Sequence, residues 1–192
     1  MAPETGDRRV ALAQAALEVL EAEGGRGLTH RAVDRRAKLV EGSTSNCFPT
    51  REALLTAALK RLVELERPAV KEMEDLAPGG PYEPRRAAEL VTGMIRGWLS
   101  PKRFGLTVAR YELILEARRR AGFRLALDEV RHEYRLLAER LLPAAGCGDP
   151  RRHAPHLLTI LDGIMVNQLF ASAAALSEAE MVDQLTRFFA SC

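Results

Sequence analysis

Four small side chains that form hydrogen bonds follow one another immediately after Gly42: Ser43, Thr44, Ser45 and Asn46. Hydroxyl and amide groups on such short side chains can contact phosphates and the edges of bases in a groove. The segment has nothing large to bury before Phe48, so we predict a short helix with a polar face. Two uses fit this pattern, which are contact with the major groove of a nucleic acid and solvation of an ordinary helical hairpin.

A second short helix is predicted just upstream of these residues. Thr29 can cap it, and Ala32, Val33 and Ala37 share one of its faces. A tight connection from position 38 to position 41 separates the two predicted helices. Two short helices joined by a turn of this length are typical of a helix-turn-helix.

Basic residues surround the predicted helix-turn-helix. Between positions 26 and 51 six Lys or Arg residues stand against two acidic ones, a local net charge of +4, whereas the whole chain carries only +2. We expect Lys38 and Arg51 to neutralise phosphates. Thr29 is expected to hold a phosphate at a helix start, where amide groups are free. Alternatively, these basic residues belong to a surface that contacts only water.

The order of residues in this region resembles the TetR family of one-component transcriptional regulators. The resemblance covers the N-terminal third and is carried by Ala15-Ala16, Gly24, Thr29, Val33, Ala37, Gly42, Phe48, Arg51-Glu52 and Leu54. It implies an all-α fold, a double-stranded DNA operator as partner, a small-molecule effector, a homodimer and, most often, repression. It also implies that the helix after Pro49 transmits ligand occupancy to the DNA-binding head.

Three positions depart from the family pattern. Lys38 stands where the family has glycine, Val40 stands where it has serine, and Cys47 replaces the tyrosine or histidine before Phe48. If the turn needs a left-handed residue, Lys38 costs about 1 kcal/mol. Cys47 is retained among the expected DNA contacts, although a thiol is a weak donor. An exposed thiol here could also switch DNA binding on oxidation, but a small filler is the simpler interpretation.

Composition places the chain among globular, helix-rich proteins. It has 192 residues, of which 47% are hydrophobic and 28% charged, and Pro and Gly punctuate it near positions 78 to 84 and 143 to 150. We predict about nine helices: a leader at 1–6, a three-helix head at 7–50, and a helical-bundle body at 51–192. No apolar signal core or long apolar run is seen, so a cytoplasmic location is expected.

The predicted body has the side chains that line ligand pockets, although no pattern maps one. An apolar or aromatic effector is expected from aromatic and aliphatic walls with a few polar anchors. The candidates are Met94, Trp98, Phe104, Arg110, Tyr111, Leu115, Phe123, Tyr134 and Asn167.

The last two predicted helices carry more apolar surface than one buried face needs. We therefore expect an isologous dimer built as a four-helix bundle, with a central core helix of the monomer as the alternative. The candidate interface residues are Leu157, Leu161, Ile164, Met165, Phe170, Leu185, Phe188 and Phe189.

No catalytic motif is recognisable, so neither an enzyme nor a cofactor is predicted. His153 and His156 have one-turn spacing, but the sequence offers them no further ligand beyond Asp149, and no metal site is expected. The three cysteines, Cys47, Cys147 and Cys192, argue by their odd number against a disulfide framework. The main alternative is a helical small-molecule-binding protein whose head no longer binds DNA.

Overall fold

The computed structural model describes residues 5–76, 80–170 and 175–192. Within these ranges the chain forms nine α-helices and no strand. The helices are α1 (Thr5–Gly27), α2 (His30–Arg36), α3 (Ser43–Cys47), α4 (Arg51–Leu76), α5 (Pro84–Trp98), α6 (Phe104–Arg119), α7 (Ala121–Leu141), α8 (Pro150–Phe170) and α9 (Glu178–Ala190), with a 3₁₀ turn at Leu142–Ala145. The predicted all-α fold is confirmed.

The chain divides into two compact units. Unit 1 comprises residues 1–67 and 101–129, and unit 2 comprises residues 68–100 and 130–192. The division falls inside α4 at Pro68, and inside α7 after Glu129. These units are defined by compactness, so the predicted functional division at residue 50 stays a prediction.

Unit 1 is built on α1, whose buried stripe includes Leu12, Ala16 and Leu20. Helix α1 contacts both α2 and α6. Gly24 kinks α1 with a left-handed φ of 64°, and the helix continues to Gly27. Helix α1 starts at Thr5, so residues 5 and 6 of the predicted leader are helical, and residues 1–4 lie outside the described ranges.

Unit 2 is built around the packing of α5 against α9. The buried face of α5 includes Ala88, Val91 and Ile95, and that of α9 includes Leu185 and Phe189. A capping box opens α9: the Ser177 hydroxyl accepts from the Glu180 amide, and the Glu180 carboxylate accepts from the Ser177 amide. The Ser177 hydroxyl also donates to the Glu180 carboxylate at 2.6 Å, and this bond together with the one from the Ser177 amide holds the pKa of Glu180 below its ordinary value.

Helix boundaries do not always coincide with proline or glycine. The break between α6 and α7 is at Arg120, and Gly122 lies inside α7. Helix α4 continues through Pro68 to Leu76. Of the Pro- and Gly-rich stretch near positions 78 to 84, residues 78 and 79 lie outside the described ranges, positions 80–83 are non-helical, and α5 begins at Pro84.

Candidate nucleic-acid interface and apolar cavity

The position of α3 is determined by Asp34, a residue of α2 that the sequence analysis did not single out. Its side chain is only 3% exposed. Its carboxylate accepts from the Gly42 amide at 2.8 Å, and from the amide and hydroxyl of Thr44 at 2.7 and 2.5 Å. Asp34 therefore caps the start of α3 from outside that helix, since Gly42 has no side chain to do so.

The connection between α2 and α3 requires two left-handed residues. Lys38 has φ 55° and Gly42 has φ 94°. The left-handed turn considered for Lys38 is thus present, and Lys38 adopts it without the freedom of glycine. The Lys38 side chain is exposed, as a phosphate contact requires.

Only half of the predicted polar tetrad faces solvent. Ser45 and Asn46 are exposed, whereas Ser43 is 4% and Thr44 is 0% exposed. The prediction that Ser43 and Thr44 contact a groove must be corrected, because both residues are buried and the Thr44 hydroxyl donates to Asp34 inside unit 1. The sequence alone could not predict which two of these four side chains are buried, because all four are small and polar.

Arg51 was predicted to neutralise a phosphate, and the structure assigns it another role. Its side chain is 25% exposed, and its guanidinium donates to the carbonyls of Gly25 and Leu28 and pairs with the buried Glu116 at 3.0 Å. Arg51 therefore belongs to an internal network and is removed from the proposed contact surface.

Glu116 lies among three guanidinium groups. Arg51, Arg119 and Arg120 approach its carboxylate at 3.0, 3.1 and 3.2 Å. Burial opposes ionisation of this carboxyl, but hydrogen bonds from Arg51, Arg120 and Arg119 outweigh it, so the pKa of Glu116 lies below its ordinary value. The group stays ionised and ties α6 to the start of α4.

The N-terminal cap predicted at Thr29 is confirmed. The Thr29 hydroxyl accepts from the Ala32 amide at 3.1 Å, and Thr29 is exposed. Two further residues that the sequence analysis missed contact the end of α3. Arg9 donates to the Cys47 carbonyl at 2.6 Å and lies over the Phe48 ring at 4.5 Å, and His30 Nε2 is 2.7 Å from the Phe48 carbonyl. These contacts seat the segment after α3, where Cys47 is only partly exposed.

Unit 2 contains an apolar cavity of about 130 Å³. Its lining comes from α4 beyond Pro68, α5, α7, α8, α9, the segment before α5 and the 3₁₀ turn. No Asp, Glu, Lys, Arg or His belongs to the described lining. Of the predicted pocket residues, Met94, Trp98 and Tyr134 line it, and unpredicted members include Val70, Met73, Tyr82, Leu90, Leu137, Ala138, Leu141 and Ala144.

Six predicted pocket residues do not line this cavity. Five of them belong to unit 1: Phe104, Arg110, Tyr111, Leu115 and Phe123. Phe104 and Leu115 are exposed, Phe123 is fully buried, and Arg110 pairs with the buried Glu66. The sixth, Asn167, accepts from the Leu176 amide at 3.3 Å. These predictions were wrong for this cavity, since residue type alone cannot tell which aromatic side chains face a common space.

Most of the predicted dimer residues serve the chain's own interior or cavity. Leu157, Ile164, Met165, Leu185 and Phe189 are buried within the chain itself, so they cannot cover a second copy. Leu157, Leu161 and Phe189 line the cavity. Phe188 is partly exposed and packs edge-on against Phe189. Only Phe170, at 77% exposure, offers a large free surface, and Val166 one turn earlier is 40% exposed.

The cysteine interpretation also needs correction. Cys147 and Cys192 form a disulfide, and His153 Nδ1 lies 3.2 Å from each sulfur. Positions separated by 45 residues meet here because α8 and α9 return to the 3₁₀ turn, a contact that linear spacing cannot reveal. Cys47 is the free thiol among the described residues.

Comparison with known proteins identifies the class to which this fold and this head belong. Residues 83–191 match the family described as tetracyclin repressor-like, C-terminal domain. A TetR-family member from Streptomyces coelicolor A3 is similar in structure, with 30% identity, a TM-score of 0.76, and 97% of this chain and 98% of that chain covered. No curated protein matches the chain.

A second group of similar structures is that of the multidrug binding protein EbrR. Its complex with imidazole has 30% identity and a TM-score of 0.71, covering 95% of this chain and 89% of that one. Its complex with ethidium has 29% identity and a TM-score of 0.74, covering 94% and 98%.

The chain belongs to the TetR family of transcriptional regulators. None of its helices in the described ranges combines the length and apolar content needed to cross a membrane.

Proposed function

We propose that this regulator is a cytoplasmic homodimeric repressor that reads its operator with the exposed end of α3. The observation that carries this proposal is that Ser45 and Asn46 are exposed on a helix whose start is fixed by the buried Asp34. Asn can bond adenine at two atoms in the major groove, and serine contacts several bases. Lys38 and Thr29 lie exposed beside this segment and supply phosphate contacts. Residues 7–50 thus serve DNA binding, and residues 51–192 serve ligand binding and dimerisation.

The proposed effector is an uncharged apolar or aromatic small molecule. The cavity is lined by aliphatic side chains, by Met73 and Met94, and by aromatic rings that include Trp98 and Tyr134. No carboxylate in the lining is available to balance a cation, and no Lys or Arg to balance an anion. A buried charge without a partner is costly, so an uncharged ligand is favoured.

The ligand can lower DNA affinity only if it binds the form with weak DNA affinity more tightly. A tenfold loss of operator affinity needs about 1.4 kcal/mol of such preference. The experiment must therefore measure ligand binding and DNA binding on the same preparation.

The DNA test uses fluorescence anisotropy with DNA that flanks the chain's own gene, against unrelated DNA of equal length. Asn46→Ala is expected to weaken binding to the specific sequence by about 1–3 kcal/mol and to leave binding to the unrelated DNA unchanged. Lys38→Ala should weaken binding to both and lower the salt slope by about one unit. Wild-type protein without preference for the flanking DNA would reject the proposal.

The ligand test uses Trp98, which is the single tryptophan of the chain and lines the cavity. An uncharged aromatic probe that enters the cavity should change the fluorescence of Trp98 and reduce operator affinity at the same probe concentration. A fluorescence change in a protein that ignores every DNA tested would instead support the small-molecule carrier with a non-functional head.

A further inference from the structure

We propose that Cys147, His153 and Cys192 form a binding site for a thiophilic cation of the Zn²⁺ class when the two cysteines are reduced. One ligand atom from each of the three residues lies within 4.8 Å of the others. The site is distinct from the α3 surface and is not part of the proposed DNA or effector function.

Three separate elements bring the ligand atoms together. Cys147 follows Gly146, whose φ of 79° turns the chain after the 3₁₀ turn. His153 lies in the first turn of α8, and Cys192 follows α9. The Cα atoms of the two cysteines are 4.8 Å apart, so both sulfurs face the same space beside the imidazole.

The imidazole is the observation that points beyond a simple disulfide. His153 Nδ1 lies 3.2 Å from Cys147 Sγ and 3.2 Å from Cys192 Sγ. A disulfide needs no nitrogen ligand, whereas a tetrahedral Zn²⁺ with bonds of about 2.3 Å to sulfur and about 2.0–2.1 Å to nitrogen places these atoms roughly 3.5 Å apart. The two sulfur-to-nitrogen separations are already close to that value.

The chemistry of the three groups selects the cation. Two thiolates neutralise a dication, and sulfur with imidazole nitrogen is the ligand set that Zn²⁺ takes, whereas Mg²⁺ and Ca²⁺ take oxygen. Three protein ligands leave a fourth position for water. Cys147 is only 6% exposed and Phe188 packs edge-on against the His153 ring at 6.3 Å, so part of the shell is apolar.

The disulfide and the cation site are alternative states of the same two sulfurs. A phosphine reductant and one water convert the disulfide to two thiols, and the phosphine becomes its oxide. Binding of the cation then releases two protons, one from each thiol, while neutral His153 supplies its lone pair at Nδ1. In the oxidised state the two sulfurs are bonded to each other and are no longer thiolates, so no cation is bound.

The test is a Co²⁺ titration of the full chain, stripped of metal and reduced with a phosphine. Co²⁺ reports thiolate ligands by a charge-transfer band and tetrahedral geometry by strong visible bands. We expect one equivalent to bind with both signals, and Zn²⁺ to displace it. Cys147→Ser and Cys192→Ser should each lose more than about 100-fold in affinity, since even partners outside the ligand shell cost about 10- to 100-fold.

Two matched controls separate the site from other thiols and imidazoles. Cys47→Ser and His156→Ala should titrate like the wild type, whereas His153→Ala should bind Co²⁺ more than about 100-fold more weakly. A reduced wild type without a thiolate charge-transfer band would overturn the proposal. So would a band that persists in Cys147→Ser or that disappears in Cys47→Ser.

A second measurement needs no variant and does not depend on whether a variant folds. Iodoacetamide is applied to the reduced wild type with and without Zn²⁺, and alkylation of each cysteine is followed by mass spectrometry. Zn²⁺ should slow alkylation of Cys147 and Cys192 and leave Cys47 unchanged. If Zn²⁺ left the alkylation rate of each of the three cysteines unchanged, the proposed site would also be rejected.

Discussion

Arg51 and Glu116 illustrate how a charged residue can change its role once its neighbours are known. Arg51 is in the position where the family resemblance and the local basic charge both suggested a phosphate contact. In the structure Arg51 instead donates to two backbone carbonyls and pairs with the carboxylate of Glu116, a residue that is 4% exposed. Removing the Arg51 guanidinium would leave the carbonyls of Gly25 and Leu28 without this donor and would take one of three guanidinium partners from Glu116.

Arg51→Ala is therefore expected to lower the free energy of unfolding by about 2–4 kcal/mol, because two carbonyls lose a donor while Glu116 retains Arg119 and Arg120. Urea denaturation measures this change. Arg35→Ala, on the exposed side of α2, is the matched control and should change stability by less than about 0.5 kcal/mol. An unchanged stability combined with a flatter salt dependence of DNA binding would return Arg51 to the phosphate contacts.

Glu116 also predicts how stability depends on pH. Its pKa is lower in the folded chain than in the unfolded chain, so its contribution is complete above the unfolded pKa and is lost as the pH falls through the folded pKa. Glu116→Gln should be less stable than wild type at neutral pH, and the difference should shrink as the solution becomes acidic. The measurement is the free energy of unfolding at a series of pH values, with the exposed Glu129→Gln as control. A difference independent of pH would contradict the role assigned to the carboxylate.

At the scale of elements, α3 is too short to be stable by itself. It has five residues, and isolated helices are marginal even at about 12–15 residues. Its stability must come from tertiary contacts, and the three hydrogen bonds to Asp34 are the most specific of them. The longer α9 differs, because its capping box is local and was visible in the order of Ser177 and Glu180.

Asp34→Ala is expected to destabilise unit 1 by about 2–4 kcal/mol, because it leaves the buried donors of Thr44 and the partly buried amide of Gly42 without an acceptor. Asp34→Asn keeps one oxygen acceptor and should fall between the alanine variant and wild type. Hydrogen exchange of the amides at positions 42 and 44 measures the effect locally, and urea denaturation measures it globally. Unchanged protection of those amides in Asp34→Ala would show that α3 is held by other contacts.

At the scale of the whole molecule, the dimer proposal rests on fewer residues than the sequence suggested. Most apolar side chains of α8 and α9 serve unit 2 itself, either in its interior or around the cavity. The exposed apolar residues of α8 are Val166 and Phe170. A solvent-exposed phenylalanine one turn from an exposed valine is the type of surface that a second copy covers.

Val166→Glu combined with Phe170→Glu should give monomers in sedimentation at concentrations where we expect the wild type to form the proposed dimer, because the introduced charges would face their copies across a twofold axis. Leu125→Glu is the matched control, since Leu125 is 67% exposed on α7 and is not proposed to touch a partner. Intact dimers in the double variant, together with loss of dimers in the control, would move the interface to the surface around Leu125.

The sequence by itself determined what depends on near neighbours in the chain. Helical spacing, the Thr29 cap and the residue order of the head are local, so the fold class and the family were predictable from them. Three of the cavity's residues were also recognised from their type, but type does not fix direction, and six other candidates point elsewhere.

Only the tertiary structure decided which side chains share a space. It separated Ser45 and Asn46 from the buried Ser43 and Thr44, assigned Arg51 to Glu116, and identified Asp34 as the residue that holds α3. It also brought Cys147, His153 and Cys192 together across 45 residues. The physical reason is that burial and pairing depend on contacts between distant segments, which have no periodicity or spacing along the chain.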